Sequence, residues 1–384
     1  MNASRFISRR LRFEGTIAVI STAVSFFVMI LAVTISGGFR RELRAGVSAL
    51  SGDIQLTAPD MNYVSETAPI SVRQAWWDEV EKMEGIRAWV PAIYRAGIVR
   101  SGDNIHGVLF KGLPDGPDSL GVRIPSRLAK MLSLKVGDRL PAYFIGERVK
   151  VRNFRVDDIY PAILSGDENL VIFAGLKDMQ RLNGWEEDQV SALEILLRDQ
   201  RNATLAEMTG RIGTTVLLMT PEEEDTVLAT SVLDKYPQIF SWLDLIDLNV
   251  LIILALMTVV AGFNMISGLL ILLFRNIATI GILKSLGMGN RALSEVFLRV
   301  ASHIVLKGLL IGNVLALLFC AFQGTTHAIR LNPENYFVSF VPVRVDPVLI
   351  LGADAAAYTV IMILLLIPCT FISRIDPART VRAR

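Results

Sequence analysis

The amino-acid sequence predicts an α-helical membrane protein with four transmembrane helices (TM1–TM4) and an α+β extracytoplasmic domain inserted between TM1 and TM2. The chain of 384 residues is 52% hydrophobic and only 20% charged, which is more apolar than an ordinary soluble domain. The apolar residues gather in four long runs, and a polar stretch of ordinary domain size separates the first two. A formal net charge of +2 gives no indication of nucleic-acid binding.

Each apolar run is long enough to cross a hydrocarbon core of about 30 Å. The first run, Thr16–Gly38, contains no charged residue and exceeds the apolar part of a cleaved signal peptide, so we predict a retained helix. The predicted segments are 1–14 (cytoplasmic amphipathic segment), 15–44 (TM1 and stalk), 45–240 (external α+β domain), 241–274 (stalk and TM2), 275–293 (cytoplasmic helix), 294–322 (TM3), 323–346 (external loop), 347–372 (TM4) and 373–384 (cytoplasmic tail).

Lysine and arginine in the short loops predict the orientation of the chain. They are frequent in the N-terminal segment, in the TM2–TM3 connection and in the tail, whereas the TM3–TM4 loop has only Arg330 and Arg344. We therefore expect a multi-pass protein of the bacterial inner membrane, with both termini in the cytoplasm and the large domain outside.

The external domain is predicted to be α+β because short alternating runs are separated by helical segments. Arg139–Phe144 and Val149–Tyr160 are two β-rich runs on either side of a glycine, and this arrangement indicates a hairpin. Further strands are predicted at Asp53–Ala58, Ala88–Val99, Val108–Lys111, Leu170–Phe173, Ala192–Leu197 and Val216–Met219. Helices are predicted at Ile124–Leu134, Leu176–Leu182 and Thr204–Ile212.

The sequence contains no recognisable catalytic or metal-binding pattern. A phosphate-binding GxxxxGK[ST] loop, HExxH and GxSxG are all absent. Cys320 and Cys369 lie in predicted spans, and the three histidines, His106, His303 and His327, are scattered. We therefore predict a transporter subunit, a receptor or a scaffold that itself binds no metal, rather than an enzyme.

Lys307 and Asp354 are charged residues that lie well inside the predicted spans TM3 and TM4. Lys307 lies roughly 12 Å beyond Arg299 along TM3, and Asp354 lies roughly 13 Å inward from Val345 along TM4, at 1.5 Å per residue. In antiparallel helices these depths nearly meet, and charges inside a membrane usually pair. We expect a Lys307–Asp354 pair, and the alternative is that Lys307 extends to the cytoplasmic face.

The segment Arg275–Gly287, with the sequence RNIATIGILKSLG, is a short amphipathic connection between TM2 and TM3. Its apolar residues could bind a cytoplasmic partner or lie on the lipid surface. The segment resembles the coupling helix of MacB/FtsX-like ABC transporter permeases, except that Thr279 stands where the family usually has Glu. The order of spans and domain also resembles that family, as does the tail segment Ile375–Arg382. The residues implied to contact an ATPase are Arg275, Thr279, Ile280, Leu283, Lys284, Leu286 and Gly287.

Within this family the chain most resembles the transmembrane subunits of lipoprotein-releasing (Lol) systems, on the runs Asn153–Tyr160, Asn169–Val171 and Asp178–Leu182. The resemblance implies an ATP-driven transporter that extracts lipoproteins from the inner membrane and passes them to a periplasmic chaperone by a mechanical stroke. The chain itself would be non-catalytic and bind no cofactor, because ATP and Mg would be bound by a separate cytoplasmic ATPase dimer. The other implied partners are a second permease subunit (identical or paralogous), the lipoprotein substrate and membrane lipids.

The resemblance also implies two contact sites. By position, a hook that recruits the chaperone would span Pro141–Arg152, and the alternative is a hairpin packed on its own domain. Its candidate contact residues are Pro141, Tyr143, Phe144, Ile145, Arg148 and Arg152. The lipid anchors of the substrate would lie between the first two spans, where the candidates are Phe26, Met29, Leu256 and Val259.

Two other functions stay open from the sequence. The first is an FtsX-like signalling subunit that regulates cell-wall hydrolases, although such members usually have a smaller external domain. The second is a MacB-like efflux permease with a separate ATPase. Because about 15 residues precede TM1, we do not expect an ATPase fused to this chain.

Overall fold

The computed structural model describes residues 16–61, 69–102, 104–117, 119–146, 148–160, 170–221, 226–332, 336 and 338–370. The predicted segments 1–14 and 373–384 lie outside the described residues. Contacts divide the chain into two units. The helical unit comprises Met1–Arg41, Trp242–Arg330 and Phe340–Arg384, and the sheet unit comprises Glu42–Ser241 and Leu331–Ser339.

The helices and strands alternate only within the sheet unit. The helices are α1 (Thr16–Ser51), α2 (Trp77–Glu81), α3 (Ser126–Met131), α4 (Leu176–Asn183), α5 (Asn202–Met219), α6 (Val232–Lys235), α7 (Pro237–Arg275), α8 (Ile277–Ser285), α9 (Asn290–Thr326), α10 (Pro347–Leu364) and α11 (Leu366–Cys369). The strands are β1 (Ile54–Thr57), β2 (Ile70–Ser71), β3 (Ile86–Ser101), β4 (Asn104–Leu113), β5 (Gly121–Pro125), β6 (Arg139–Phe144), β7 (Lys150–Tyr160), β8 (Val171–Gly175), β9 (Gln189–Val190), β10 (Ala192–Leu197) and β11 (Leu228–Ser231).

In the described part of the chain, four helical segments are long and apolar enough to cross a membrane: α1, α7, α9 and the consecutive pair α10–α11. Together with the α+β domain between the first and the second, they confirm the predicted fold class. The start of α10 illustrates how local sequence defines a boundary. The Asp346 carboxylate accepts hydrogen bonds from the amides of Val348 and Leu349, and Pro347 occupies the first helical turn, where its missing N–H costs nothing.

Small residues four apart along α9 form its contact with α1. Gly308, Gly312, Ala316 and Cys320 are all buried. A Cβ on Gly312 would lie 2.6 Å from the Ala23 carbonyl oxygen, so only glycine permits this approach. Small residues at such spacing let membrane helices pack closely. The GxxxG spacing of Gly308 and Gly312 therefore allows α9 to pack against α1 of the same chain.

The long strand β3 belongs to two sheets of the sheet unit. Its first half, 86–92, pairs with β10 in an antiparallel sheet of order β11-β1-β10-β3, here called the open sheet. Its second half, 93–101, pairs with β4, and the strand order continues through β8, β5, β7 and β6. Pairing of β6 back onto β3, with Ile98 opposite Tyr143, closes these six strands into a ring.

Two predicted elements of this unit are wrong. Val216–Met219 is the last turn of α5 and not a strand, because Leu205, Met208, Ile212 and Val216 are buried at helical spacing. Ile124 and Pro125 end strand β5, so the helix predicted from Ile124 begins only at Ser126.

Candidate functional site

The predicted coupling segment contains a separate helix, α8, between α7 and α9. The preceding helix ends at Arg275, and Asn276 leaves helical geometry. After α8, Gly287 has a φ of +87°, which favours glycine. The amides of Gly287 and Met288 donate to the carbonyl oxygens of Lys284 and Leu283, each at 3.0 Å, in the pattern of a Schellman motif.

The apolar ridge predicted for this segment is partly wrong. Ile280 is buried in the apolar cluster between the spans, and Leu283 packs against that cluster. The exposed apolar residues include instead Ala278, Ile282 and Leu286, which recur at helical spacing, with Ile277 exposed beside them. Among the other predicted contact residues, Arg275, Thr279 and Gly287 are exposed and Lys284 is half-buried. A protein partner therefore has access to Leu286 but not to Ile280.

The second candidate site is the β6–β7 hairpin of the ring. Its two strands pair antiparallel from Arg139 opposite Arg155 to Phe144 opposite Lys150, which confirms the predicted hairpin geometry. Phe144 is not at the surface, because its ring lies 4.9 Å from that of Phe110 and is fully buried. The predicted contact between Phe144 and a chaperone is therefore wrong.

The surface of the hairpin carries exposed apolar residues all the same. Ile145, Val149 and Val151 are 50%, 64% and 46% exposed, and we call these three residues the hairpin tip. Arg148 beside them is exposed, while Pro141, Tyr143 and Arg152 are half-buried. Val149 and Val151 are not among the residues predicted from the sequence, although the alternation of β7, extended by one residue to Val149, indicates both. Phe154 and Val156 face inward, so the odd-numbered positions of the strand face outward.

A buried arginine supports the start of the hairpin turn. Arg95 on β3 is buried, and its guanidinium donates to the carbonyl oxygen of Ile145 at 2.7 Å. On the other strand, Lys150 donates to the carbonyl oxygen of Leu182 at 3.0 Å. These two contacts fix the backbone below the hairpin tip, so the exposed side chains project from an ordered base.

The four residues predicted to line a lipid pocket fall into two groups. Phe26 and Met29 are buried in the packing of the helical unit, which contradicts a role as open lining residues within this chain. Leu256 and Val259 on α7 are exposed. An apolar groove of about 480 Å³ lies instead between α1 and α9. Its lining residues are Val19, Ile20, Ala23, Val24, Phe27, Ile311, Leu315 and Phe319.

The predicted Lys307–Asp354 pair is wrong. Asp354 is buried and accepts a hydrogen bond from the Asn313 side chain at 2.5 Å. Lys307 is exposed, and it lies six residues before Asn313 on α9. Six residues correspond to about 9 Å along a helix and turn the side chain to a different face. The prediction failed because estimated span ends gave the wrong axial register.

The described residues contain no group of three or more histidine, cysteine, aspartate or glutamate side chains arranged to hold a metal ion. Both cysteines are buried and free, and Cys320 lies 3.3 Å from the Thr34 hydroxyl in the α1–α9 contact. The features of the described part that favour recognition are therefore surfaces: the exposed face of α8 and the hairpin tip.

Comparison with known proteins assigns the C-terminal part of the chain to a protein family. Residues 251–377 match the model of the FtsX-like permease C-terminal family, so this part is an FtsX-like permease domain. The chain is 20% identical over 376 residues to the lipoprotein-releasing system transmembrane protein LolC of Neisseria meningitidis, covering 87% of this chain and 85% of that protein. It is 23% identical over 401 residues to the corresponding LolE of Haemophilus influenzae, covering 94% and 92%. These matches confirm the resemblance to FtsX-like permeases and Lol transmembrane subunits.

Two solved structures are similar to part of the chain. The extracellular domain of the ABC-type transporter YknZ from Gram-positive bacteria covers 46% of this chain and 99% of its own, with 11% identity and a TM-score of 0.31. The periplasmic region of MacB from Actinobacillus actinomycetemcomitans covers 49% and 92%, with 13% identity and a TM-score of 0.30.

Proposed function

We propose that this chain, which carries an FtsX-like permease domain at 251–377, is a membrane subunit of an ATP-driven transporter that extracts lipoproteins from the inner membrane and passes them to a periplasmic chaperone. The observation that carries the proposal is the extent of the similarity to the lipoprotein-releasing proteins. It covers 94% of this chain in the H. influenzae comparison and so includes the sheet unit as well as the spans. A shared permease domain alone would be equally compatible with signalling or efflux.

In this proposal the sheet unit is periplasmic and both termini are cytoplasmic. The face of α8 formed by Ala278, Ile282 and Leu286 then binds a separate ATPase dimer. Exposed aliphatic side chains beside Arg275 suit the surface of a protein partner, because such contacts bury apolar area while a charge at the rim sets orientation. ATP and Mg are bound by that partner, and this chain contributes the helices that its closure moves.

The hairpin tip is the proposed contact with the chaperone. Its three aliphatic side chains and Arg148 are exposed on a hairpin whose base is fixed by Arg95, so binding requires little ordering of the backbone. A chaperone that carries acyl chains offers an apolar surface for such a contact. The acyl chains of the substrate are proposed to lie against the exposed α7 residues Leu256 and Val259, and a second permease subunit completes that space.

The test is reconstitution of transfer. The full chain is purified in detergent with the ATPase and any second permease subunit encoded beside it, and is then loaded with a triacylated lipoprotein. We expect ATP to move the lipoprotein to a soluble chaperone, and the triple change Ile145→Ser, Val149→Ser and Val151→Ser to stop this movement. Val136→Ser is the matched control, because Val136 is an equally exposed valine outside the hairpin.

Other outcomes assign other functions. ATP hydrolysis without lipoprotein transfer, but altered by a periplasmic cell-wall hydrolase, would place the chain with signalling subunits. ATP-dependent export of small molecules from vesicles, with no lipoprotein transfer, would indicate efflux. Leu286→Asp should release the ATPase without disturbing the spans, because Leu286 is 78% exposed.

A further inference from the structure

Buried polar side chains of the sheet unit surround the end of α1. Lys111 on β4 is 1% exposed, Glu194 on β10 is 3% exposed, and Tyr94 on β3 is likewise buried. We call these three residues the helix-end cluster. Lysine and glutamate are almost never buried to this degree unless they are paired, so their location requires an explanation.

Lys111 joins the end of α1 to the sheet. Its ammonium donates to the carbonyl oxygens of Ala49 and Leu50, each at 3.0 Å, and to the Glu194 carboxylate at 2.9 Å. An ammonium has three N–H donors, and each has one acceptor here. The Tyr94 hydroxyl donates to the same Leu50 carbonyl oxygen at 2.8 Å and also contacts Glu194.

These contacts satisfy a general requirement of helix ends. The last four carbonyl groups of a helix have no partner within the helix, and a positive charge beside them is favourable. Gly52 follows α1 with a φ of +69°, and a Cβ there would lie 2.8 Å from the Cβ of Glu194. The helix therefore ends directly against β10, with no space for a side chain between them.

A second set of bonds lies on the other side of Gly52. The buried Asp53 carboxylate accepts hydrogen bonds from the Leu197 amide at 2.8 Å and from the Gln200 side chain at 3.0 Å. The Ser48 hydroxyl in the last turn of α1 also donates to Asp53. The end of α1 is thus held at two points, directly by Lys111 and Tyr94 and through Asp53 by the end of β10, and we expect these bonds to oppose its rotation against the sheet unit.

The cluster lies where the open sheet passes into the ring. Tyr94 opposes Lys111 across the β3–β4 pair, just after the residues of β3 that pair with β10. The next residue of β3, Arg95, faces the opposite side of the strand and donates to Ile145 at the hairpin. Neighbouring side chains of one strand therefore contact the helix end and the hairpin.

Apolar residues in place of Lys111 and Glu194 would stabilise the fold about as well as this buried pair does. Burial lowers the pKa of Lys111 and raises that of Glu194, because each charged form loses water, and the contact between the two side chains opposes both shifts. Replacing a buried ion pair by apolar residues of similar size is often neutral or stabilising. Apolar contacts, however, have no direction, whereas three hydrogen bonds from one ammonium fix the helix end in position and rotation.

We propose that Lys111 is a positioning residue that makes the end of α1 and the open sheet move as one body, so that a displacement of α1 reaches β3 and the hairpin. The proposal rests on the proposed function, in which such a displacement drives lipoprotein transfer. Without Lys111, α1 moves against the sheet, and ATP is hydrolysed without transfer.

The test uses the full chain in its complex with the ATPase, and the double change Lys111→Met and Glu194→Leu. This variant removes both charges together and leaves neither one buried alone. We expect ATP hydrolysis within twofold of the unchanged protein, lipoprotein transferred per ATP at least tenfold lower, and faster amide hydrogen exchange at 47–51. Gln180→Met is the matched control, because Gln180 is also buried and donates to two carbonyl groups, of Glu187 and Gln189, but lies on α4.

Transfer per ATP at the unchanged level in the double variant, with slow exchange at 47–51, would overturn the proposal. An equal loss of transfer in Gln180→Met would also overturn it, because any buried polar contact would then suffice. If the double variant does not fold, Tyr94→Phe removes only the hydroxyl bonded to Leu50, and we expect a smaller loss of transfer with the same faster exchange. If the unchanged complex transfers no lipoprotein, the proposed function fails. Amide hydrogen exchange at 47–51, compared between the unchanged protein and the double variant, then decides by itself whether Lys111 holds the helix end.

Discussion

The helix-end cluster and the hairpin tip depart from the usual distribution of side chains in opposite ways. The cluster buries Lys111 and Glu194, whereas the tip exposes Ile145, Val149 and Val151. Charged residues usually lie at the surface and large aliphatic residues inside, so the side chains of both regions are unusually placed. Under the functions proposed above, the two regions have different tasks: the helix-end cluster fixes an internal geometry, and the hairpin tip leaves apolar area free for a partner.

The largest effect expected from this comparison is that of Lys111→Met alone. It leaves Glu194 buried without the cation that contacts it, and breaking a buried pair in this way costs about 3–5 kcal/mol. The free energy of unfolding, measured by urea denaturation of the full chain in detergent, should fall by that amount. Adding Glu194→Leu should restore most of it, and a double variant no more stable than Lys111→Met would show that the loss does not come from the unpaired carboxylate.

The next effect separates the inside of the hairpin from its outside. Phe144→Ala removes a ring packed between Phe110 and Phe154, and we expect a loss of about 3 kcal/mol from the cavity and the lost contacts. Ile145→Ala, one position further, should change the unfolding free energy by about 0.5 kcal/mol or less because that side chain is exposed. Equal losses in the two variants would mean that the tip is part of the core.

A smaller effect on stability, but a large one on binding, is expected at the hairpin tip. Changing Ile145, Val149 and Val151 to serine should leave the unfolding midpoint nearly unchanged. The affinity for a periplasmic chaperone, measured by titration, should fall about tenfold or more, because exposed apolar side chains at the centre of a contact dominate its energy. Unchanged affinity with this variant would assign the tip to a different partner.

The smallest expected effect is the pH dependence of stability that comes from Lys235, a lysine beside the helix-end cluster. Burial lowers the pKa of Lys235, beside Tyr94, from 10.5 to about 8. Between these two values the unfolded chain binds more protons at this site than the folded chain, so the contribution of Lys235 to stability increases as pH rises from about 8 towards 10.5. The unfolding midpoint of the unchanged protein should therefore gain more, or lose less, between pH 7.5 and pH 9.5 than the midpoint of Lys235→Met. The same change of midpoint in both proteins would contradict the burial of this ammonium.

The wrong predictions for Phe144 and Ile280 have the same physical origin. Hydropathy and alternation are local properties, and they identified the spans and the β6–β7 hairpin. The direction in which a side chain points depends on what packs against the element. Phe144 was predicted at a loop tip and lies in the ring core, and Ile280 was predicted on an exposed ridge and lies between the spans. Each was assigned from its neighbours in sequence without knowledge of the element opposite.

The order of one span, an α+β domain and three spans follows from the amino-acid sequence alone, because long apolar runs must be buried in lipid and short alternating runs form strands. The partners of the buried polar residues, in contrast, become known only from the packing of distant segments. Asp354 bonds to Asn313 and not to Lys307, because the axial register of two packed helices depends on side chains along their whole contact. Lys111 meets carbonyl groups that precede it by 61 and 62 residues, because the sheet brings β4 beside the end of α1. Buried polar groups must find acceptors, but the sequence does not state which distant segment provides them.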